Sequence, residues 1–287
     1  GQASRHFERV RPAELKGGEV MIKVIVAGAA GRMGGRVINA ILETSGLELA
    51  GAYERPGHPA LGQDAGLMAG LGELGVKLAA SLDDVIGLGE VIIDFSEKSS
   101  SIRSIKTAAA AGKAMVVGTT GFDEAEKAEI RRIAAGLRLV LAPNMSVGVN
   151  LLFKVVGDVA RILGPGYDLE IIETHHRLKK DAPSGTALRL AEVLAEATGR
   201  NIGETAVYGR QGLTGQRTDD EIAVLAVRAG DIVGEHTVLF GGLGERVEIT
   251  HRAHSRDTFA RGAVRAAAWV IEQPEGLYDM QDVLGLR

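Results

Sequence analysis

The chain contains no cysteine. That excludes a disulfide framework, a cysteine-based zinc site and a cysteine nucleophile together. It also excludes the dehydrogenases that work through a thiohemiacetal on the enzyme. A large excess of either charge is missing too: 33 Lys and Arg stand against 37 Asp and Glu, a net charge of −4. This points away from nucleic acid and from an anionic membrane surface as partners. No run of about 18 apolar residues occurs, so no transmembrane helix is expected, and no internal repeat or low-complexity segment interrupts the chain. Residues 1–20 have mixed charge, no apolar core segment and no small-residue cleavage site, so they do not read as a signal peptide. Met21 directly precedes a strong strand pattern. The folded part is expected to begin there, with residues 1–20 as a mobile extension, and a cytoplasmic location is the default expectation.

What remains is ordinary globular material, 45% hydrophobic and 24% charged over 287 residues, enough for roughly two domains at about 150 residues each. MIKVIVAG (21–28) is a near-continuous β-branched run of the kind buried on both faces of a parallel sheet. It is followed by GAAGRMGG (28–35) and then by RVINAILETSG, in which Val37, Ile38, Ile41 and Leu42 form a helical stripe. A second strand, LELAGAYE, closes the unit on an acid, Glu54. Strand, glycine loop, helix, strand and acid in this order form a Rossmann-type dinucleotide-binding unit. Glycines at 28, 31 and 34 let the backbone turn and approach a pyrophosphate, which then faces the helix N-terminus. Glu54 suits the adenosine ribose of NADH, while Arg55, with Arg32 adding charge, suits the 2′-phosphate of NADPH. Both cofactors are therefore expected.

Further strands, GEVIIDFS, KAMVVGTTGF and LRLVLAPNMS, end near residues 95, 118 and 142. Those ends should line the carboxyl edge of one sheet, where ligands bind, placing Thr119, Thr120 and Asn144 toward the nicotinamide half of the cofactor. Residues 56–90 are rich in glycine and read as a variable loop or a pair of turns. After Ser146 the pattern changes to a long apolar helix, a strand, a second helix and glycine-separated alternating segments resembling an antiparallel meander. The expected architecture is α/β: a dinucleotide-binding domain over 21–146 and 256–287, and an α+β substrate and oligomerisation domain with a mixed sheet over 147–255.

The stretch ETHHRLKKDAPSGT (173–186) concentrates the chemistry. It joins the strand YDLEIIE to the helix TALRLAEVLAEATG, so its Ser-Gly-Thr stands at a helix start whose free amides suit an anion. His175, with an unperturbed pKa of about 6.5, can supply a proton near neutrality. Lys179 can stabilise negative charge or donate a proton, and the sequence leaves both roles open.

At this point the residues resemble those of the bacterial 4-hydroxy-tetrahydrodipicolinate reductase (dihydrodipicolinate reductase) family. The resemblance runs from about Met21 to the C-terminus, through VAGAAGRMG (26–34), GTTGF (118–122), NMSVGVN (144–150), EIIETHHRLKKDAPSGTA (170–187), VRAGDIVGEH (227–236) and GERVEITHRAHSRDTFA (244–260). It implies reduction of a cyclic imine dicarboxylate by NADPH or NADH, with loss of its 4-hydroxyl as water, hydride delivery to C4 and protonation at C3, in the diaminopimelate route to lysine. It implies catalytic roles for His175 and Lys179, and substrate-carboxylate binding by His176, Gly185 and Thr186. Cofactor contacts would come from Gly28, Ala29, Ala30, Gly31, Arg32, Met33, Glu54 and Arg55. Others would come from Gly118, Thr119 and Thr120, and from Ala142, Pro143, Asn144 and Met145 through backbone. A homotetramer, no resident metal, and closure of the two domains about linkers near Ser146 and Ser255 are also expected. Lys180 receives no role. Another two-domain reductase of an amino-acid-derived carbonyl or imine, or a nucleotide-sensing regulator, are the alternatives; the former would share the first domain but not the HHRLKKDAPSGT loop, and the latter would lack a proton-handling pair.

Overall fold

A computed structural model describes residues 21–287; the expected extension over 1–20 lies outside the described residues. The first sheet begins with β1 (Ile22–Ala27), α1 (Arg32–Leu42), β2 (Leu47–Tyr53), α2 (Ala65–Ala69) and β3 (Leu78–Ala79). It continues through β4 (Val91–Asp94), α3 (Lys98–Ala110), β5 (Ala114–Val117), α4 (Glu124–Ala134) and β6 (Arg138–Leu141). The second part comprises α5 (Val147–Leu163), β7 (Asp168–His175), α6 (Gly185–Thr198), α7 (Ile202–Thr205), β8 (Ala206–Val207), β9 (Ile222–Arg228), β10 (Gly234–Gly241) and β11 (Arg246–Ala253). The chain closes with α8 (Asp257–Val270), β12 (Gly276–Tyr278) and α9 (Met280–Leu284).

Seven parallel strands in the order β12-β6-β5-β4-β1-β2-β3 form the first sheet. Its central strands are apolar on both faces because helices cover both. Val24, Val26, Val91 and Ile93 pack with Val37, Ile38 and Ile41 of α1 and with Ala263 and Val270 of α8. Ile25, Ile92 and Met115 face Ile105 of α3 and Ile130 of α4. The C-terminal α8 and β12 thus return to the first sheet, as the sequence pattern suggests.

The second sheet has the order β11-β10-β7-β9-β8. One face buries Leu169, Ile171, Val224, Val238 and Phe240 against α5 and α6. The expected antiparallel meander is only partly present. β10 pairs antiparallel with β11 and with β7, but β9 runs parallel to β7 and does not neighbour β10. The reason lies in burial. Ile222, Ala223 and Val224 are all buried, which suits an inner parallel strand rather than the polar-backed arm of a hairpin. The β9–β10 connection consequently passes over the end of β7, where Ala229 N donates to His175 O (2.9 Å) and Arg177 N to Gly230 O (3.1 Å).

Residues 56–90 also hold more structure than turns. Asp64 caps α2 and accepts from the amides of Gly66, Leu67, Leu74 and Gly75 at 2.7–3.2 Å. One carboxylate organises a segment with little apolar periodicity of its own, which explains why hydrophobic pattern alone missed it.

Candidate active site

Beside the start of α1 lies a cleft of about 800 Å³ lined by Gly28, Gly31, Arg32, Met33, Gly34, Glu54 and Arg55, with Arg103 across it on α3. Gly28 has φ +60°, a conformation that favours glycine. A Cβ on Gly34 would lie 2.4 Å from Gly28 O and 2.6 Å from Ala29 Cα, so a side chain there would displace the loop itself. Gly31 caps α1 without a side-chain hydrogen bond, leaving first-turn amides free for an anion. Ala29 is buried beneath the loop and Ala30 packs against the core. Glu54 Oε1 accepts from Arg55 N (2.9 Å), and both residues reach the cleft wall. A glycine cradle, a free helix start and an acid beside an arginine fit the pyrophosphate and adenosine of a nicotinamide dinucleotide.

Gly118, Thr119 and Thr120 follow β5 along the same sheet edge but contribute nothing to the cleft lining. A Cβ on Gly118 would sit 2.2 Å from the Phe95 ring. Thr119 is buried and accepts from Ser101 Oγ at 2.8 Å, whereas Thr120 is exposed. The side chains of Ala142 and Met145 are buried, which leaves backbone as the surface they can offer, and Pro143 is exposed. Asn144 does something distinct. Its Nδ2 donates to Thr186 Oγ1 (3.1 Å), tying the segment after β6 of the first sheet to the start of α6.

At the end of β7 the construction changes from backbone to ionised side chains. Glu173 and His175 are two residues apart on a strand and therefore share a face. Glu173 is fully buried, and its Oε2 lies 2.5 Å from His175 Nδ1. The Arg228 guanidinium donates to both Glu173 oxygens at 2.8 Å, and Ser184 N donates to Oε1 at 3.0 Å. Burial pushes the Glu173 carboxyl up, but Arg228 foremost, with His175 and Ser184, holds it below the usual carboxylate range. Burial likewise pushes the His175 imidazole down, Glu173 opposes that, and Lys179 and Arg228 add to it. Lys179 itself is held by Asp181, with Nζ 2.8 and 2.9 Å from its oxygens.

Ser184 caps α6 by accepting from Ala187 N (3.2 Å), and the same oxygen lies 3.1 Å from His236 Nε2. The first-turn amides of Gly185 and Thr186 point out of the helix end. His176 Nδ1 is buried with no hydrogen-bond partner among the described residues. An unmet buried polar atom and a helix start with free amides are each features that suit an anionic group. Lys180 is exposed.

The structure therefore gathers His175, His176, Lys179, Gly185 and Thr186 around one loop, and Gly28–Met33, Glu54 and Arg55 around one cleft. It does not bring the two sets into a common cavity, since no residue of 147–255 lines the cleft. Sequence reasoning missed Glu173, Arg228, Ser184 and His236. Glu173 had a signal, because it alternates with His175 in a strand. Arg228 lies opposite His175 only through the β7–β9 register, which no local pattern reveals.

Fold and cleft define a nicotinamide-dependent oxidoreductase, with the glycine-lined cleft on the first sheet and the Glu173–His175–Arg228 cluster on the second. Comparison with known proteins identifies which. Residues 22–145 match the family described as dihydrodipicolinate reductase, N-terminus, and residues 148–284 match dihydrodipicolinate reductase, C-terminus. The 4-hydroxy-tetrahydrodipicolinate reductases of Geobacter sp. (strain M21) and Citrifermentans bemidjiense are each 56% identical over 267 residues, covering 93% of this chain and 100% of the relative. A dipicolinate-bound dihydrodipicolinate reductase from Paenisporosarcina sp. TG-14 shares the fold at TM-score 0.72 and 24% identity, covering 92% of this chain and 99% of that one. The chain belongs to the dihydrodipicolinate reductase family. Its reaction is the NAD(P)H-dependent reduction of 4-hydroxy-tetrahydrodipicolinate to tetrahydrodipicolinate with loss of water, a step of lysine biosynthesis through diaminopimelate.

Proposed function

We propose that the two sheets divide this reaction between them, with residues 21–146 and 256–287 holding the cofactor and residues 147–255 holding the substrate. The separate cores behind the two sheets support the division. Gly28, Ala29, Ala30, Gly31, Arg32 and Met33 cradle the pyrophosphate. Glu54 and Arg55 meet the adenosine ribose or its phosphate. Gly118, Thr119 and Thr120, with the backbone of Ala142–Met145, stand at the nicotinamide end. When bound, the reduced nicotinamide supplies the hydride to C4 of the substrate.

The chain's own residues bind, orient and protonate. His176 and the amides of Gly185 and Thr186 hold a substrate carboxylate, where the helix dipole adds about 0.3–1 kcal/mol. His175 delivers a proton to C3. Lys179 carries positive charge beside it, to donate a proton or to offset negative charge developing on the substrate. The balance is one substrate, one NAD(P)H and one proton in, and tetrahydrodipicolinate, NAD(P)+ and one water out. Because the cleft and the loop do not share a cavity, closure about the linkers near Ser146 and Ser255 accompanies binding of both ligands. Trapping both ligands and finding no change in solution compactness would count against it.

The observation that carries this reading is the Asn144–Thr186 hydrogen bond. It joins the start of α6 to the segment after β6 of the first sheet, which supports bringing a substrate held there to the cofactor. The decisive assay mixes the protein with NADPH and the cyclic product of aspartate semialdehyde–pyruvate condensation. Absorbance at the nicotinamide band should fall only when both are present; folded protein that oxidises no NADPH above background contradicts the reading.

The enzyme works as a cytoplasmic homotetramer assembled through the second sheet. No helix among the described residues is long and apolar enough to cross a membrane. The sheet face opposite α5 and α6 supports the assembly: Ile172 lies beside Leu225 and Thr174 beside Val227 in the β7–β9 register, and Val227 is 43% exposed. Sedimentation equilibrium tests the number.

A further inference from the structure

We infer that Glu173 is a positioning residue that fixes which nitrogen of His175 exchanges protons, and that Arg228 moderates how strongly it does so. The inference rests on the reading of His175 as the proton donor and concerns residues to which that reading assigns no role.

Glu173 is the single anion in hydrogen-bond contact with the His175 ring among the described residues. It is fully buried, and a buried carboxylate without partners would surrender its charge. Four donor contacts converge on it instead: His175 Nδ1, Ser184 N and both Arg228 nitrogens. An ionised carboxylate only accepts, so Nδ1 of His175 must carry a hydrogen and donate it. The neutral ring is then the Nδ1–H tautomer, with its free lone pair on Nε2. That nitrogen faces Gly234, where a Cβ would lie 3.0 Å away. Glycine keeps the exchanging nitrogen uncrowded.

The charges around the ring come from every element packed against it. Glu173 approaches on β7, Arg228 on β9, and Lys179 and Asp181 in the loop. From β10 comes His236, its ring centroid 5.2 Å from that of His175, and His236 is paired in register with His251 on β11. His236 is pushed down to about 3, chiefly by burial, so it is neutral at working pH. Burial, Lys179 and Arg228 disfavour the imidazolium, and Glu173 favours it. Because Arg228 takes two contacts of the same carboxylate, it limits the charge available to His175.

The proton step balances without Glu173 changing its own state. An Nε2 proton of the imidazolium passes to substrate carbon, the ring remains neutral with Nδ1–H on Glu173, and Nε2 takes its next proton from solvent. A fixed carboxylate behind a proton-transferring histidine selects the tautomer and steadies the cation in this way.

Two measurements on the full-length protein test the inference. The first is 15N NMR of the unsubstituted enzyme, which should show neutral His175 protonated at Nδ1. A ring protonated at Nε2 overturns the proposal, whatever the variants do. The second compares Glu173→Gln with Glu173→Asp. Glu173→Gln should lower kcat by a factor on the order of 10² and leave the NADPH dissociation constant unchanged. It should also move the basic limb of the kcat–pH profile to lower pH, because the group that favours the charged ring is gone. Glu173→Asp should recover part of the loss, and Arg228→Met should move the limb the other way. A fall in kcat with an unshifted limb would assign Glu173 a merely structural role and overturn the proposal. If His175→Ala kept full turnover, the assignment of His175 would fail instead, while the NMR result on the tautomer would stand.

Discussion

At the carboxyl edge of the seven-stranded sheet, the start of α1 meets the cleft through a close-packed glycine loop at Gly28, Gly31 and Gly34; at the end of β7 the groups are charged side chains held by one another. Gly34 cannot carry a side chain because Gly28 O and Ala29 Cα stand within 2.6 Å of where it would start. Glu173 cannot lose a partner because it is buried among four donor contacts. In the proposed division the first arrangement meets a constant feature, a pyrophosphate, and needs no titration. In the proposed mechanism the second gains and loses a proton in every cycle, and the pKa values of Glu173 and His175 are shifted by burial acting against charge. A reductase that borrows its redox chemistry from a cofactor needs both, and the proposed division puts each on its own sheet.

Substitutions that damage one end and spare the other would sharpen that comparison. The largest effect at the cofactor end is expected for Gly34→Val. Backbone leaves no room for the new side chain, so stability should fall by about 1–3 kcal/mol and NADPH binding with it, as a thermal melt and a fluorescence titration would show. A variant that binds NADPH normally would mean the loop is not the cradle. Arg55→Ala should weaken NADPH by about tenfold, the low end for hydrogen bonds to charged groups, because Arg55 is exposed. NADH should be nearly unaffected, and equal losses for both would remove Arg55 from the 2′-phosphate.

The smallest effect concerns pH. His236 is pushed down to about 3 by burial, from an ordinary 6.5. Between those values the unfolded chain binds the proton and the folded chain does not. The stability due to a neutral His236 is therefore complete above about pH 6.5 and is lost as pH falls toward 3. His236→Gln should flatten the fall in thermal midpoint over that window without altering NADPH binding. An unchanged slope would mean that His236 is not held neutral in the folded state.

The same contrast explains what the sequence revealed. The cofactor end was legible because its parts are contiguous: a glycine loop, a helix start and an acid twenty residues past Gly34. His175, His176, Lys179, Gly185 and Thr186 were legible for the same reason, lying on one short loop. Glu173 carried a signal through its alternation with His175, but Arg228 did not, because it reaches them only through β9 lying parallel to β7, where alternation and glycine turns suggested a meander. Asp64 was also hidden, because the segment it organises is held by one carboxylate rather than by an apolar stripe. Roles carried by spacing were visible; roles carried by register or by a single polar hub were not.

The division of labour is tested most directly by measuring turnover and NADPH affinity together in His175→Ala and Lys179→Ala. Each substitution should lower turnover by a factor of about 10²–10⁴ and leave the NADPH dissociation constant unchanged. A large loss of NADPH binding in either variant would show that the proton-handling loop belongs to the cofactor site and would contradict the account.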